Sequence, residues 1–401
     1  MDADSHPLRW RTLGLLAVAE LLGMSLWFAA SAVSPQLAAQ WSLDPSATGW
    51  LTTIVQLGFV AGTAASAMLN LADVFPSKRL FAASALAGAI ANAAMIAAPS
   101  YAVALLLRFF TGFFLAGVYP PAMKMIATWF RSQRGLAIGT IVGALTIGKS
   151  TPYLVHALPD AGVNVVILTA SAGAVIAALL VATGFSDGPY PFAPRPFSWG
   201  LVATVARVRE WRLATGGYLG HMFELYAFWT WIPAYLAASA AASNPSRDNA
   251  ALVSLIAFGT IAAGGIGSVW GGLYADRTSR ERLVTIALIA SGACCLVVGF
   301  FFGASLWLLA PIALFWGFFV VADSAQFSAL VTESVPSHAV GTALTIQTSL
   351  GFLLTMVTIQ GLPVLAERIG WQWSFVLLAF GPVAGIASIK RLIAVERANP
   401  A

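Results

Sequence analysis

Gly272-Leu273-Tyr274-Ala275-Asp276-Arg277-Thr278-Ser279-Arg280-Glu281-Arg282 packs five charges into seven residues, between two long apolar runs that carry almost none. A weaker copy, Asn70-Leu71-Ala72-Asp73-Val74-Phe75-Pro76-Ser77-Lys78-Arg79, is also wedged between apolar runs, and its Asp73 lies 203 residues before Asp276. A charged loop that occurs twice implies a chain built from two like halves.

The composition says what surrounds those loops. Apolar residues make up 59% of the 401 and charged residues 9%, where a soluble domain carries about 25% charged residues. So few charges cannot cover a water-facing surface, and most of it must face lipid. This excludes a soluble fold and predicts an all-α integral membrane protein. Cys294 and Cys295 are adjacent inside an apolar run; they supply neither a disulfide framework nor a metal-ligand spacing. The net charge of +5 comes from basic residues at the ends of apolar runs, the pattern of topology determinants rather than of a nucleic-acid face. Residues 1–10 are polar and lack the form of a signal peptide.

A bilayer core of about 30 Å takes about 20 apolar residues of helix. Runs of that kind fall at 12–33, 46–69, 80–98, 102–127, 136–156 and 164–184, and then at 213–238, 250–271, 283–303, 306–330, 340–363 and 373–393. These are twelve predicted transmembrane helices in two pseudo-symmetric six-helix bundles. The bundles are expected at 1–184 and 212–401, with a linker at 185–211. The linker opens with Ser186-Asp187-Gly188-Pro189-Tyr190-Pro191-Phe192-Ala193-Pro194-Arg195-Pro196, whose prolines exclude regular helix. Its second part, 198–210, has the pattern of a short surface helix.

With the N-terminus cytoplasmic, one side collects Arg9, Arg11, Lys78, Arg79, Arg131, Arg134, Arg195, Arg207, Arg209, Arg212, Arg277, Arg280, Arg282, Lys390, Arg391 and Arg397, and the other only Arg247 and Arg368. That asymmetry places both termini and the linker in the cytoplasm of a bacterial-type inner membrane. The repeat extends beyond the loops: Trp10-Arg11 precedes the first run as Trp211-Arg212 precedes the seventh, 201 residues on, and Gly135 matches Gly341 at 206. Two parallel six-helix repeats are a transporter architecture, with substrate held between the halves near the midplane.

At the loops the residues resemble the signature of the major facilitator superfamily: a Gly, an Asp four residues on, then Arg and further basic residues. Gly272, Asp276, Arg277 and Arg280 fit it. The first copy departs, with Asn70 for the Gly, Val74 for the Arg and Pro76 before Lys78-Arg79. Arg108-Phe109-Phe110-Thr111-Gly112, followed by Tyr119-Pro120-Pro121 and Arg134-Gly135, is similar to organic-anion and sugar-phosphate transporters of that superfamily and to nitrate or cyanate permeases. The resemblance implies alternating access, a small-molecule substrate, a monomer and no cofactor. It also implies a gating latch at Asp73, Lys78, Arg79, Gly272, Asp276, Arg277 and Arg280, whose charges complement the dipoles of the helix ends they join.

Charges inside the runs need a reason, since each costs about 2.5–3.5 kcal/mol even on the lenient insertion scale. At about 1.5 Å per residue, Glu20, Glu224 and Asp323 all lie roughly 13–18 Å from the cytoplasmic edge. Burial favours the neutral form of such acids and lets them load and unload a proton, so Glu224 is the first candidate for proton coupling, with His221 as relay, followed by Glu20 and Asp323. Arg108 and Lys149 share the outer half, and two cations on one cavity would hold an anion. Tyr226, Trp229 and Gln326 are further candidates to line the substrate site. The bland alternatives are that Glu20, Arg108 and Lys149 pair with one another structurally, that Trp229, Trp231 and Tyr235 form an interfacial belt, and that Lys124 snorkels to the headgroups.

No catalytic or metal centre emerges. His221-x-x-Glu224 lacks a third ligand, and no Gly-x4-Gly-Lys-Ser/Thr nucleotide loop is present, so an ion gradient is the expected driving force. Three functions remain: proton-coupled uptake of a small anion, proton-coupled efflux of a lipophilic or cationic compound, and, remotely, a membrane sensor that transports nothing.

Overall fold

In the computed structural model, residues 6–131, 133–190, 198–246 and 249–398 are described, without the side chains of Ala72, Asp73 and Arg134. The chain divides into two compact units, Met1–Pro194 and Arg195–Ala401.

The first unit holds α1, in three pieces (Arg9–Met24, Ala29–Ala32 and Ser34–Trp41), then α2 (Pro45–Met68), α3 (Ser77–Ala97), α4 (Tyr101–Ala127, in two pieces, Tyr101–Leu115 and Tyr119–Ala127), α5 (Arg134–His156) and α6 (Val163–Gly184). The second holds α7 (Arg209–Ser243), α8 (Ala250–Arg277), α9 (Arg280–Phe301), α10 (Leu306–Glu333), α11 (Ser337–Ile369) and α12 (Trp371–Ala398). No strand occurs among the described residues. Nine of these helices are long and apolar enough, by length and composition, to cross a membrane. The other three explain themselves: α1 is broken, and α5 and α7 carry buried Lys149, Ser150, His221 and Glu224. Large apolar side chains such as Phe300, Trp307, Val357 and Phe380 stand exposed on the outer faces, as lipid contact requires.

The helix ends follow local rules. Asp44 caps α2 by accepting from the Ala47 amide at 2.7 Å, and Ser100 caps α4 at Val103. Ser279, in the charged loop, caps α9 at the Arg282 amide. Each satisfies an amide that a helix start leaves orphaned.

Both units repeat one packing plan. In the first, α1 lies on α5 and α6, α2 on α4, and α3 on α4 and α6; in the second, α7 lies on α11 and α12, α8 on α10, and α9 on α10 and α12. Small residues set the closest approaches. Gly62 faces the Phe113 carbonyl as Gly267 faces that of Phe318, both pairs leaving no room for a Cβ.

The expected linker is shared between the units. Its first part is tied to unit one: Trp129 Nε1 donates to the Ser186 carbonyl at 3.0 Å and Gly188 N to Thr128 Oγ1 at 2.9 Å. Its second part forms a nine-residue helix, Trp199–Arg207, which buries Val205 against the core of unit two, while the Ser198 amide donates to Thr342 Oγ1 at 3.0 Å. Arg195 lies outside the described residues.

Candidate functional site

The first unit is organised around the break in α1. Residues 25–28 are turns rather than helix, and Ser25 Oγ bonds the Leu22 carbonyl at 2.6 Å. The Leu26 and Trp27 carbonyls then accept from Arg108, fully buried on α4. Its Nη1 donates to Leu26 O at 2.9 Å and to Asn92 Oδ1 at 3.2 Å, its Nε to Leu51 O at 3.3 Å, and its Nη2 to the Trp27 carbonyl. Asn92, on α3, passes the chain on to the Ile167 carbonyl and Ser171 Oγ of α6. Arg108 therefore clasps four helices, with four of its donor contacts made inside the protein.

Lys149 sits on the other side of the same residue, its Nζ 4.1 Å from the centroid of the Trp27 ring. It is 2% exposed. Arg108 and Lys149 do converge, but on Trp27: the guanidinium at its carbonyl, the ammonium on its indole face. Glu20 lies within electrostatic range of Lys149 and of Tyr119, at the start of the second piece of α4. It is fully buried, and neither carboxylate oxygen has a hydrogen-bond partner among the described residues.

The second unit has its break in α10, at Asp323 between Leu306–Ala322 and Ser324–Glu333. His221 bridges it. Nδ1 lies 3.0 Å from Asp323 Oδ1 and Nε2 lies 3.0 Å from Ser324 Oγ. The Asp323 contact lies at ion-pair distance and is not a hydrogen bond. His221 and Asp323 are 2% and 1% exposed, and Phe327 packs on the imidazole at 5.3 Å.

Glu224, one turn on from His221, faces α9 and α10. It accepts from Trp316 Nε1 at 2.6 Å, Ser291 Oγ at 2.9 Å and Cys295 Sγ at 3.4 Å. Trp316 is stacked on Phe228 at 4.1 Å. The carboxylate is thus enclosed by donors in the packed interior of its unit. Cys295, which carried no meaning in the sequence, is one of them. Trp316, Ser291 and Asn92 were also missed, since each reads as one more residue of an apolar run.

Tyr226 and Trp229 come together at 5.3 Å, with Phe352 of α11 beside Tyr226. The interfacial-belt alternative does not describe this face: Trp229, Trp231 and Tyr235 are buried, Trp231 Nε1 donating to Ile359 O and Tyr235 OH to Val298 O. Gln326 is buried on α10. Among the described residues no group of three or more His, Cys, Asp or Glu could hold a metal ion.

Of the loop residues, Gly272 is buried in α8, and Asp276 and Arg277 are exposed at its end. Arg280 forms an ion pair with Glu333, the last residue of α10. Lys78 Nζ donates to the Phe185 carbonyl at 3.3 Å, after α6; Arg79 is exposed. The Asp73 side chain lies outside the described residues.

A family model for the Major Facilitator Superfamily matches residues 15–359 and, separately, 217–400. The chain belongs to the major facilitator superfamily. The nucleoside transporter NupG superposes with a TM-score of 0.73 at 14% identity, over 95% of this chain and 99% of that one. A bacterial homologue of the human lysosomal transporter Spinster gives 0.73 at 15%, over 99% and 100%. At those identities the likeness is one of fold. In sequence, the niacin transporter NiaP of Acinetobacter baylyi is 30% identical over 148 residues, 33% of this chain and 33% of its own length. The uncharacterized transporter YgaY of Escherichia coli is 27% identical over 150 residues, 37% of each. The chain thus spans about a third of the length of the curated relatives it matches. The family match and the nine helices long and apolar enough to cross a membrane agree on a multi-pass membrane protein.

Proposed function

We propose that the chain is a proton-coupled secondary transporter that takes up a small organic anion, with Lys149 as the contact to the anion. It works as a monomer in a bacterial inner membrane, both termini cytoplasmic, by alternating access between its two units. The observation that carries this reading is the Lys149 ammonium, buried in the first unit and held on the Trp27 ring. A buried ammonium is costly unless a partner or a task retains it. Similarity to a niacin transporter supports a carboxylate-bearing substrate.

Arg108 takes a different role from the one its residue type suggests. With its donors spent on Leu26, Trp27, Leu51 and Asn92, it braces the break in α1. Glu224, ringed by donors, likewise holds α7 to α9 and α10. In this reading proton coupling falls to Glu20 in the first unit and to the His221–Asp323 pair in the second. Tyr226, Trp229 and Gln326 remain proposed substrate contacts. The latch is carried by Gly272, Asp276, Arg277 and Arg280, with Asp73, Lys78 and Arg79 as its weaker counterpart.

The test is uptake of radiolabelled nicotinate into proteoliposomes under an imposed pH gradient, acid outside. Gradient-driven accumulation that Lys149→Gln abolishes is expected. Accumulation that survives Lys149→Gln sinks the assignment. The rival, efflux of a lipophilic cation, draws on the Tyr226, Trp229 and Phe352 cluster; it predicts gradient-driven movement of ethidium and none of nicotinate.

A further inference from the structure

On α5, Ser150, Thr151 and Tyr153 place three hydroxyls within one helical turn. Two are spent locally: Ser150 Oγ donates to the Ile147 carbonyl and Thr151 Oγ1 to that of Gly148, each at 2.7 Å. Pro152 has no amide to offer the Gly148 carbonyl in the helix ladder, and the Thr151 hydroxyl supplies that donor instead. Tyr153 is different. It is 2% exposed, and its hydroxyl has no hydrogen-bond partner among the described residues. Buried phenols ordinarily find one: Tyr235 OH donates to Val298 O at 2.9 Å, and half-buried Tyr101 OH to Ala47 O at 2.7 Å.

The turn in α1 fixes where that hydroxyl sits. Lys149 and Tyr153 lie four residues apart, so both side chains leave one face of α5. They meet successive residues of the turn, Lys149 the Trp27 ring at 4.1 Å and Tyr153 the Phe28 ring at 6.3 Å. The carbonyls of the turn are claimed elsewhere. Those of Leu26 and Trp27 accept from Arg108, and that of Phe28 from the Ala32 amide at 2.9 Å. A polar group kept dry beside a backbone that is already bonded is a cost to the fold. It is retained for something the fold itself does not contain.

We propose that Tyr153 is a specificity-determining residue, its hydroxyl donating to a hydrogen-bond acceptor on the body of the substrate, away from the carboxylate. The inference rests on the reading of the first unit as the site of a small anion beside Lys149. A phenol is neutral at physiological pH, so it adds no charge and discriminates by whether its proton finds an acceptor. A ring nitrogen gives the hydroxyl the partner it lacks. A ring CH at the same position leaves it unpaired, and a site built around a hydrogen bond disfavours the analogue that cannot make it. The substrates selected are therefore heteroaromatic acids over plain aromatic acids of the same shape and charge.

Uptake of nicotinate and of benzoate into proteoliposomes, by wild type and by Tyr153→Phe, tests this together with thermal unfolding. Wild type should take up nicotinate about tenfold more efficiently than benzoate in kcat/KM, the weight of one neutral hydrogen bond. Tyr153→Phe should bring nicotinate down to the level of benzoate and leave benzoate unchanged. Its melting temperature should stay level or rise, because the change removes only a hydroxyl that the fold does not bond. A purely structural tyrosine does the reverse, with the melting temperature and both uptake rates falling together, and that result overturns the proposal. So does a Tyr153→Phe that keeps the wild-type preference, or a wild type with no preference for nicotinate. Wild type that accumulates neither acid overturns the anion-uptake reading itself, and the selectivity falls with it.

Discussion

Gly112 and Gly317, 205 residues apart, make the same contact in the two units. Gly112 on α4 lies against the Val55 carbonyl of α2, and Gly317 on α10 lies against the Thr260 carbonyl of α8. Val55 and Thr260 are themselves 205 apart, as are Val118 and Asp323, the residues that precede the second pieces of α4 and α10. The repeat is thus preserved in backbone contacts and in the place where a helix breaks, although the side chains at the break differ completely. Neither glycine leaves room for a Cβ. Gly112→Ala and Gly317→Ala should each destabilise the detergent-solubilised protein by about 1–3 kcal/mol, the usual cost of overpacking. Thermal unfolding checks this, with Gly14→Ala and Gly259→Ala, where nothing lies within 4 Å of the new methyl, expected to be silent.

Arg108 and Lys149 part company under mutation. Arg108→Gln strands the carbonyls of Leu26 and Trp27 in a dry interior, and each buried unsatisfied group costs about 1–3 kcal/mol. Loss of transport should therefore come with a large drop in melting temperature. Arg108→Lys should fare little better, because one ammonium cannot span carbonyls on α1 and α2 together with Asn92. Lys149→Gln should abolish uptake while the melting temperature moves far less. Equal thermal stability for the Arg108 and Lys149 variants would show that the clasp has been misread.

Glu224 offers a sharper contrast. Its three donors are Trp316, Ser291 and Cys295, and Glu224→Gln keeps an acceptor oxygen for Trp316. Gradient-driven uptake should survive that change. Glu224→Ala leaves Trp316 Nε1 and Ser291 without their acceptor and should cost about 1–3 kcal/mol. In a double-mutant cycle, Trp316→Phe and Glu224→Ala should be strongly non-additive, since each removes the same hydrogen bond. Loss of pH-driven accumulation in a well-folded Glu224→Gln would return this acid to the proton pathway.

The fold was legible because lipid imposes a simple rule on the chain: long apolar runs, with charges at their ends. Each of the twelve runs falls on helix, the first broken at residues 25–28 and the tenth at Asp323, and the repeated loop announced the two halves. The site was legible only as a roster of costly residues. Arg108, Lys149, Glu20 and Glu224 stand out because a charge in an apolar run is rare; what each one touches is set by helix rotation and by the turn at residues 25–28 of α1, which holds neither proline nor glycine. Asn92, Ser291, Cys295 and Trp316 are ordinary members of membrane helices and acquire meaning only through their partners. The same blindness applied to Glu333, which became visible as the partner of Arg280 only when the ends of α9 and α10 were brought together.

That loop ion pair carries the last prediction. Arg280 and Glu333 are 38% and 56% exposed, and an exposed pair of this kind contributes about 0–1 kcal/mol. Arg280→Glu should therefore leave the melting temperature nearly unchanged. It should still slow transport, because two like charges then face each other where α9 begins and α10 ends, beside the loop proposed above as the latch. The swap Arg280→Glu with Glu333→Arg restores the attraction with its polarity reversed. If the pair acts as a local tie within the second unit, the swapped protein regains most of the wild-type uptake rate in proteoliposomes. If Arg280 acts instead through a fixed positive charge on the rim, the swap stays as slow as the single variant. Raising the ionic strength distinguishes the two again: screening weakens the wild-type pair and relieves the repulsion in Arg280→Glu, so the rates of the two proteins should converge at high salt.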